Sequence, residues 1–227
     1  MKGITIIALL VAFISQSQNT SSQLELVDFQ KAQVVISLDE SSNEVKGEIL
    51  FDLKILKDAS SIFIDAKNLV AYQAFLDNKE VKTIYDGEKL VVQSSFSASD
   101  NQQLKVMFTS YPSKAMYHID EDNDRIWDQV WTQGQGKFTS NWLPSIDDMN
   151  DKMIWSFQIT APGSKRVIAN GKLAEVLPAA DKMVWSYNME KPMSSYLVAL
   201  AAGDYKIKRD TSASGVPLEY YYYQEDE

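Results

Sequence analysis

Between Val45 and Ile55 the chain alternates. Val45, Gly47, Ile49, Phe51, Leu53 and Ile55 fall on one side, and Lys46, Glu48, Asp52 and Lys54 on the other. A period of two suits an extended backbone, whose side chains point to opposite faces in turn; wound into a helix, the same apolar set would scatter around the axis. One apolar and one charged face describe an antiparallel strand set between a core and water. Ala32, Val34, Ile36 and Leu38 repeat the pattern upstream, and Ser41, Ser42 and Asn43 supply a turn between the two. Asp77-Asn78 and Asp86-Gly87 punctuate further short apolar runs, and Asp-Gly is a strong hairpin signal because both positions tolerate positive φ. Runs at Leu104 to Phe108, Met153 to Ile159, Met183 to Tyr187, Tyr196 to Leu200 and Val216 to Tyr222 continue the series, and no window of a dozen residues carries a 3.6 period.

Many short strands with turns at close spacing predict an all-β fold, a β-sandwich or curled double sheet. No linker divides residues 24–227, so one domain is expected there. DKMIWSFQ (151–158) and DKMVWSYN (181–188) agree at six positions of eight, but the sequences after them share nothing. They are expected to be two strands with one packing solution, Met, Trp and Phe or Tyr facing the core and Ser, Gln and Asn facing out.

Residues 1–17 open with Lys2, run apolar from Ile4 to Ile14 and end in small polar residues, the layout of a secretory signal peptide with cleavage after Ser17. The expected location is therefore exported, periplasmic or extracellular. No later segment approaches the roughly 20 apolar residues of a spanning helix, so no membrane span is expected after cleavage. The sequence has no Cys, which removes disulfides, thiolate catalysis and sulfur-ligated metals, and leans toward a bacterial envelope. The formal net charge is -9, and loss of the leader with Lys2 makes the remainder more acidic still. Such a surface repels phosphate backbones, so nucleic acid is not an expected partner.

A catalytic zinc site needs three protein ligands, usually drawn from His and Glu, and His118 is the single histidine. It is expected to be a solvated loop residue beside Tyr117. The same residue would have to serve any Ser-His-Asp triad, and no Gly-x-Ser-x-Gly elbow, Walker loop or Gly-x-Gly-x-x-Gly is present. DEDND (120–124) begins like a calcium loop, but Arg125 and Trp131 stand where an EF-hand requires Gly and Glu, so a charged turn is expected. Asp147 and Asp148 are adjacent on one loop, a poor arrangement for straddling a glycosidic bond. No metal site is expected in this chain.

What remains is WTQGQGKFTSNWLPSIDDMND (131–151). Trp127, Trp131 and Trp142, three of the five Trp, lie in or just before it, and Gly134 and Gly136 let the backbone around Gln133 and Gln135 bend or approach a neighbour closely. Residue chemistry leaves two readings open, a ligand-facing loop or a core-crossing loop pinned by aromatics.

Four segments in order carry a resemblance. They are Trp131-Thr132-Gln133-Gly134-Gln135-Gly136, Trp142-Leu143-Pro144-Ser145-Ile146-Asp147-Asp148-Met149-Asn150, Asn170-Gly171-Lys172-Leu173, and Pro192-Met193-Ser194-Ser195-Tyr196-Leu197-Val198-Ala199. Together they resemble the N-terminal domain of the aminopeptidase N family of zinc metallopeptidases. The family order is a Thr-Gln-x-Gln/Glu loop, a Phe-Pro-x-x-Asp-Glu-Pro segment, a Ser-Asn-Gly-x-Leu hairpin and a Pro-Met-Ser-x-Tyr-Leu strand.

The resemblance implies a saddle-like antiparallel β-sandwich over residues 24–227, packed on a separate catalytic domain that binds zinc through His-Glu-x-x-His, a motif this chain lacks. It implies that Gln133 and Gln135 contact peptide N-termini, a sensible chemistry because an amide oxygen accepts from an ammonium. A neutral Gln contributes less than a carboxylate would. Asp148-Met149 stands in place of the family's Glu-Pro, Ser145 in place of a frequent Cys, and residues 137–140 lack a common Arg. The chain stops within the aromatic run YYYYQEDE, as the front part of a longer enzyme would, and is expected to be inactive alone.

Two other readings predict different things. A free-standing secreted β-sandwich binding peptides or glycans would use exposed Trp and Tyr as stacking platforms. An envelope scaffold would turn Gln133 and Gln135 away from any concave surface.

Overall fold

The computed structural model describes residues 23–223, Asp122 excepted. The expected leader and the last four residues lie outside the described residues. The first half of the chain supplies β1 (Val27–Leu38), β2 (Val45–Ile55), β3 (Ala59–Asp65), β4 (Leu69–Leu76), β5 (Lys79–Glu80), β6 (Lys82–Tyr85), β7 (Lys89–Phe96) and β8 (Asn101–Ser110). The second half supplies β9 (Met116–Ile119), β10 (Gln129–Thr132), β11 (Met153–Pro162), β12 (Arg166–Ala169), β13 (Lys172–Ala179), β14 (Lys182–Met193), β15 (Leu200–Gly203), β16 (Lys206–Thr211) and β17 (Pro217–Tyr222). Helical structure among the described residues is confined to single 3-10 turns. The all-β expectation holds.

An eight-stranded sheet runs β13-β14-β11-β1-β2-β8-β4-β5, beside a four-stranded sheet β12-β15-β10-β9, a three-stranded sheet β3-β7-β6 and the β16-β17 hairpin. The inner face of the large sheet and the two smaller sheets share one apolar core. β2 contributes Ile49, Phe51, Leu53 and Ile55, as its alternation predicts, while Ile62, Ile64, Leu90 and Val92 enter from the three-stranded sheet. Val130, Val167, Leu200 and Ala202 enter from the four-stranded one. Each such side chain contributes about 1.5–3 kcal/mol on leaving water, so the period-two pattern decides which face of each strand turns inward.

β1 extends the predicted Ala32 to Leu38 strand back to Val27, and a bulge between Phe29 and Lys31 explains the shortfall. The extra residue shifts the inward set from Phe29 to Ala32, which interrupts the alternation in sequence but not in the sheet. β1 pairs with β11 in parallel, Lys31 opposite Ile154 through Ser37 opposite Thr160. The expectation of antiparallel pairing throughout is corrected at that one junction. The long excursion of residues 39–152 separates the two strands and lets the chain return in the same direction. The Tyr196 to Leu200 run also departs from expectation: Ser195–Leu197 is a 3-10 turn and the strand begins only at Leu200. Asp77 and Asn78 take φ of 48° and 64°, as a tight hairpin between β4 and β5 requires.

The two like octapeptides lie side by side. Phe157 faces Tyr187, Ser156 faces Asn188 and Gln158 faces Ser186 across β11 and β14. Trp155 is fully buried, stacks on Phe157 at 6.0 Å and donates from Nε1 to the Met193 carbonyl at 3.0 Å. Trp185 is only half-buried, because β14 is flanked by the largely exposed edge strand β13. Tyr187 ties two sheets together, its buried hydroxyl donating to the Val167 carbonyl at 2.6 Å. Tyr187→Phe leaves that carbonyl without its partner and is expected to cost about 1–2 kcal/mol in urea unfolding. An unchanged midpoint would mean that water replaces the bond.

Candidate functional site

The irregular stretch grows out of β10. Gln133 N–H donates to the Ala115 carbonyl at 2.8 Å, carrying the pairing with β9 one step past Thr132. Burial alternates through residues 130–135: Val130, Thr132 and Gly134 point in, and Trp131, Gln133 and Gln135 point out. Trp131 and Gln133 are thus exposed at strand spacing, and Gln135, in the turn that follows, completes the exposed row.

The chain can hold this course because of what lies beneath it. A Cβ on Gly134 would sit 2.2 Å from Thr139 Oγ1 and 2.9 Å from the Tyr196 carbonyl oxygen, so only glycine allows the close approach. Phe138 N–H donates to the Gly134 carbonyl at 3.0 Å and closes the bend, with Gly136 at φ +88° and Lys137 at φ 68°. Gln133 Oε1 accepts the Gln135 backbone N–H at 3.0 Å, which fixes its carboxamide. The Gln135 carboxamide is exposed, and its contact is with Gln133 Nε2 at 3.4 Å.

The four sequence segments converge here. Thr139 Oγ1 donates to the Ser195 carbonyl at 2.9 Å, Ser195 Oγ to the Ile146 carbonyl at 2.6 Å and Ser194 Oγ to the Met149 carbonyl at 2.6 Å. Ala199 N–H donates to Asn170 Oδ1 at 2.6 Å, and Leu200 N–H to Thr132 Oγ1 at 2.9 Å. Residues scattered over some seventy positions thus brace one bend through side-chain to backbone bonds.

Asp147 belongs to the same scaffold. Its carboxylate accepts from Ser140 Oγ at 2.5 Å and Ser145 Oγ at 3.3 Å, and its N–H donates to Asp65 Oδ2 at 2.8 Å. Burial raises the pKa of both Asp65 and Asp147, and Asp65 raises Asp147 further as a like charge. Asp148 Oδ1 is taken by Asn150, at its backbone N–H (2.9 Å) and side chain (3.1 Å). Neither carboxylate is posed for acid–base chemistry. A mixed-charge cleft of about 260 Å³ lies alongside, bordered by Lys137 of the bend with Asp65, Lys67, Lys89 and Asp147.

The aromatics divide. Trp127 and Trp142 are core residues, 3% and 1% exposed. Trp131 stays 36% exposed although it stacks on Tyr117, its direct cross-strand neighbour, with centroids 4.5 Å apart and planes at 30°. Phe138 is 41% exposed, against Gly136.

His118 is not the solvated loop residue expected. It sits on β9, half-buried, its ring 6.4 Å from Trp127 in an edge-on arrangement, and burial pushes its pKa down to about 4. The described residues around DEDND are irregular and held by their own carboxylates: Arg125 N–H donates to Asp120 Oδ2 at 3.0 Å and Ile126 N–H to Asp124 Oδ1 at 2.7 Å. Among the described residues no group of three or more His, Cys, Asp or Glu could hold a metal ion. Nor is any helix among them long and apolar enough to cross a membrane. Two features of the site escaped the sequence reading, the Tyr117–Trp131 stack and the Asp65 anchor. The alternation from Val130 to Gln135 was the available signal for the first; the second depends on a contact across some eighty residues.

Residues 23–197 match the Peptidase M1 N-terminal domain model. The chain is 24% identical over 201 residues to Leucine aminopeptidase 2-2 of Meyerozyma guilliermondii, covering 84% of this chain and 31% of that protein. It is 22% identical over 191 residues to Probable aminopeptidase 1 of Sulfurisphaera tokodaii, covering 82% and 23%. The chain thus spans a third or less of these relatives. Among solved structures, a mutant M1 zinc metallopeptidase of Deinococcus radiodurans bound to a Tyr-Ser-Ala substrate superposes with a TM-score of 0.72 at 14% identity, over 86% of this chain and 47% of that one. The fold is therefore shared with about half of that protein. On the match over residues 23–197, the chain belongs to the Peptidase M1 N-terminal domain family, the N-terminal domain of aminopeptidase N-type enzymes.

Proposed function

We propose that this chain is the substrate-gating domain of an exported zinc aminopeptidase that removes N-terminal residues from peptides. Zinc is held in a catalytic domain that follows residue 227, and the leader at residues 1–17 directs export. The observation that carries the proposal is the outward row: Gln133 is held in orientation by its own bend, and Gln135 beside it presents an exposed carboxamide. An ammonium offers donors and the amide oxygens accept, so the row suits the free α-amino group of a peptide. Neutral amides position that group; the balancing charge comes from acids of the catalytic domain.

The test is hydrolysis of an alanine anilide by the complete polypeptide loaded with zinc, beside residues 18–227 alone. The expected result is turnover by the first and none by the second, with Gln135→Ala lowering kcat/KM about tenfold. Turnover by residues 18–227, or an unaltered kcat/KM in Gln135→Ala, would refute this division of labour. The exposed Tyr117–Trp131 stack favours one other reading, a free-standing binder of glycans or peptides. That reading predicts no hydrolysis by any form, and a tryptophan fluorescence change when residues 18–227 meet an oligosaccharide.

A further inference from the structure

The outward row does not end at the glutamines. Trp131 stands two residues before Gln133 and is exposed like it, while Gln135 lies in the turn that follows. Its indole is stacked on Tyr117, yet both rings remain open to solvent, at 36% and 41%. Solvent-facing rings of this size bury a large apolar area once covered. These two are also held in place: Trp131 and Tyr117 are register partners on β10 and β9, and Gln133 N–H extends that ladder through Ala115. A rigid aromatic surface thus lies within one side chain's reach of acceptors suited to an ammonium. That pairing matches the two ends of a single amino-acid residue, its α-amino group and its side chain.

We infer that the Tyr117–Trp131 stack is a specificity surface for the first residue of the peptide, favouring large apolar and aromatic side chains. This rests on the proposed aminopeptidase function. A bound Phe, Tyr or Leu places its amino group at Gln133 and Gln135 and lays its side chain against the Trp131 indole. An alanine side chain spans no such distance and gains nothing from the indole. On the two strands Gln129 and Gln133 share the outward face with Trp131, and His118, opposite Val130, lies on the inward face. His118 is neutral near pH 7 because burial lowers its pKa.

The test is the ratio of kcat/KM for a phenylalanine anilide over an alanine anilide, measured on the complete zinc-loaded polypeptide. Trp131→Ala is expected to lower this ratio about tenfold, the scale of one lost aromatic contact, and Trp131→Phe to restore most of it. Circular dichroism of each variant checks folding, which an exposed position should tolerate. If Trp131→Ala lowers both substrates equally, or leaves the ratio as in the parent, the specificity surface is overturned and the aminopeptidase reading stands. If no anilide is hydrolysed by the parent, both fall together.

Discussion

Asp151→Asn is expected to stabilise the domain by about 4 kcal/mol at pH 8 and by almost nothing at pH 4. Asp151 lies just ahead of β11, 5% exposed, and its Oδ1 has no hydrogen-bond partner. Asp151 N–H donates to the Asp148 carbonyl at 3.1 Å, and Asp28 of β1 is close enough to act on its charge. Burial, then the charges of Asp28 and Asp148, push its pKa up to about 7 from a usual value of 3.8. Because the folded pKa lies above the unfolded one, the native state binds more protons between these values, and stability falls as pH rises from about 4 to about 7. A shift of three units corresponds to about 4 kcal/mol, fully lost above pH 7. Asparagine keeps the shape without the charge, and so removes the repulsion from Asp28 and Asp148. Urea unfolding of both chains across pH 4 to 8 measures the difference directly. The variant keeps a residual slope, because burial also raises Asp65 and Asp147. Parallel stability curves for the two chains would show that Asp151 is solvated in the native state.

That residue marks the limit of what the sequence discloses. Strand faces are local facts: Val45 to Ile55 declares its core side because consecutive residues sample opposite faces, and the structure buries the side foreseen. The bulge at Phe29 and Lys31 and the parallel pairing of β1 with β11 depend on partners far along the chain, so no local pattern announces them. The candidate site divides in the same way. Gln133 and Gln135 were singled out because glycines flank them and the surrounding motifs resemble a family, and the structure places both outward. Asp65 looks like any strand-end carboxylate until it meets Asp147 and Ser145. His118 looked solvated because its neighbours in sequence are polar, but its neighbour in space is Trp127.

The bend is sensitive to a single methyl group. On the proposed aminopeptidase function, Gly134→Ala is expected to lower kcat/KM of the complete zinc-loaded polypeptide roughly hundredfold, the loss that follows when catalytic or binding groups shift by about an ångström. The new Cβ would stand 2.2 Å from Thr139 Oγ1 and 2.9 Å from the Tyr196 carbonyl. Relief requires either breaking the Thr139 bond to the Ser195 carbonyl or lifting the bend off the turn at Ser195–Leu197. Both displace Gln133 and Gln135 together, since the Gln133 carboxamide is tied to the Gln135 N–H. Overpacking of this kind also costs about 1–3 kcal/mol of stability, so activity is compared at a temperature where both proteins are folded. The Phe138 amide reports the displacement independently, because its bond to the Gly134 carbonyl should loosen and its hydrogen exchange accelerate. Gly136→Ala is the control: its Cβ meets the Phe138 ring at 3.1 Å rather than backbone, and its positive φ makes the penalty about 1 kcal/mol. If Gly134→Ala retains activity within threefold while Phe138 exchange accelerates, the position of the row does not govern the reaction. The proposed gating role of this row is then refuted.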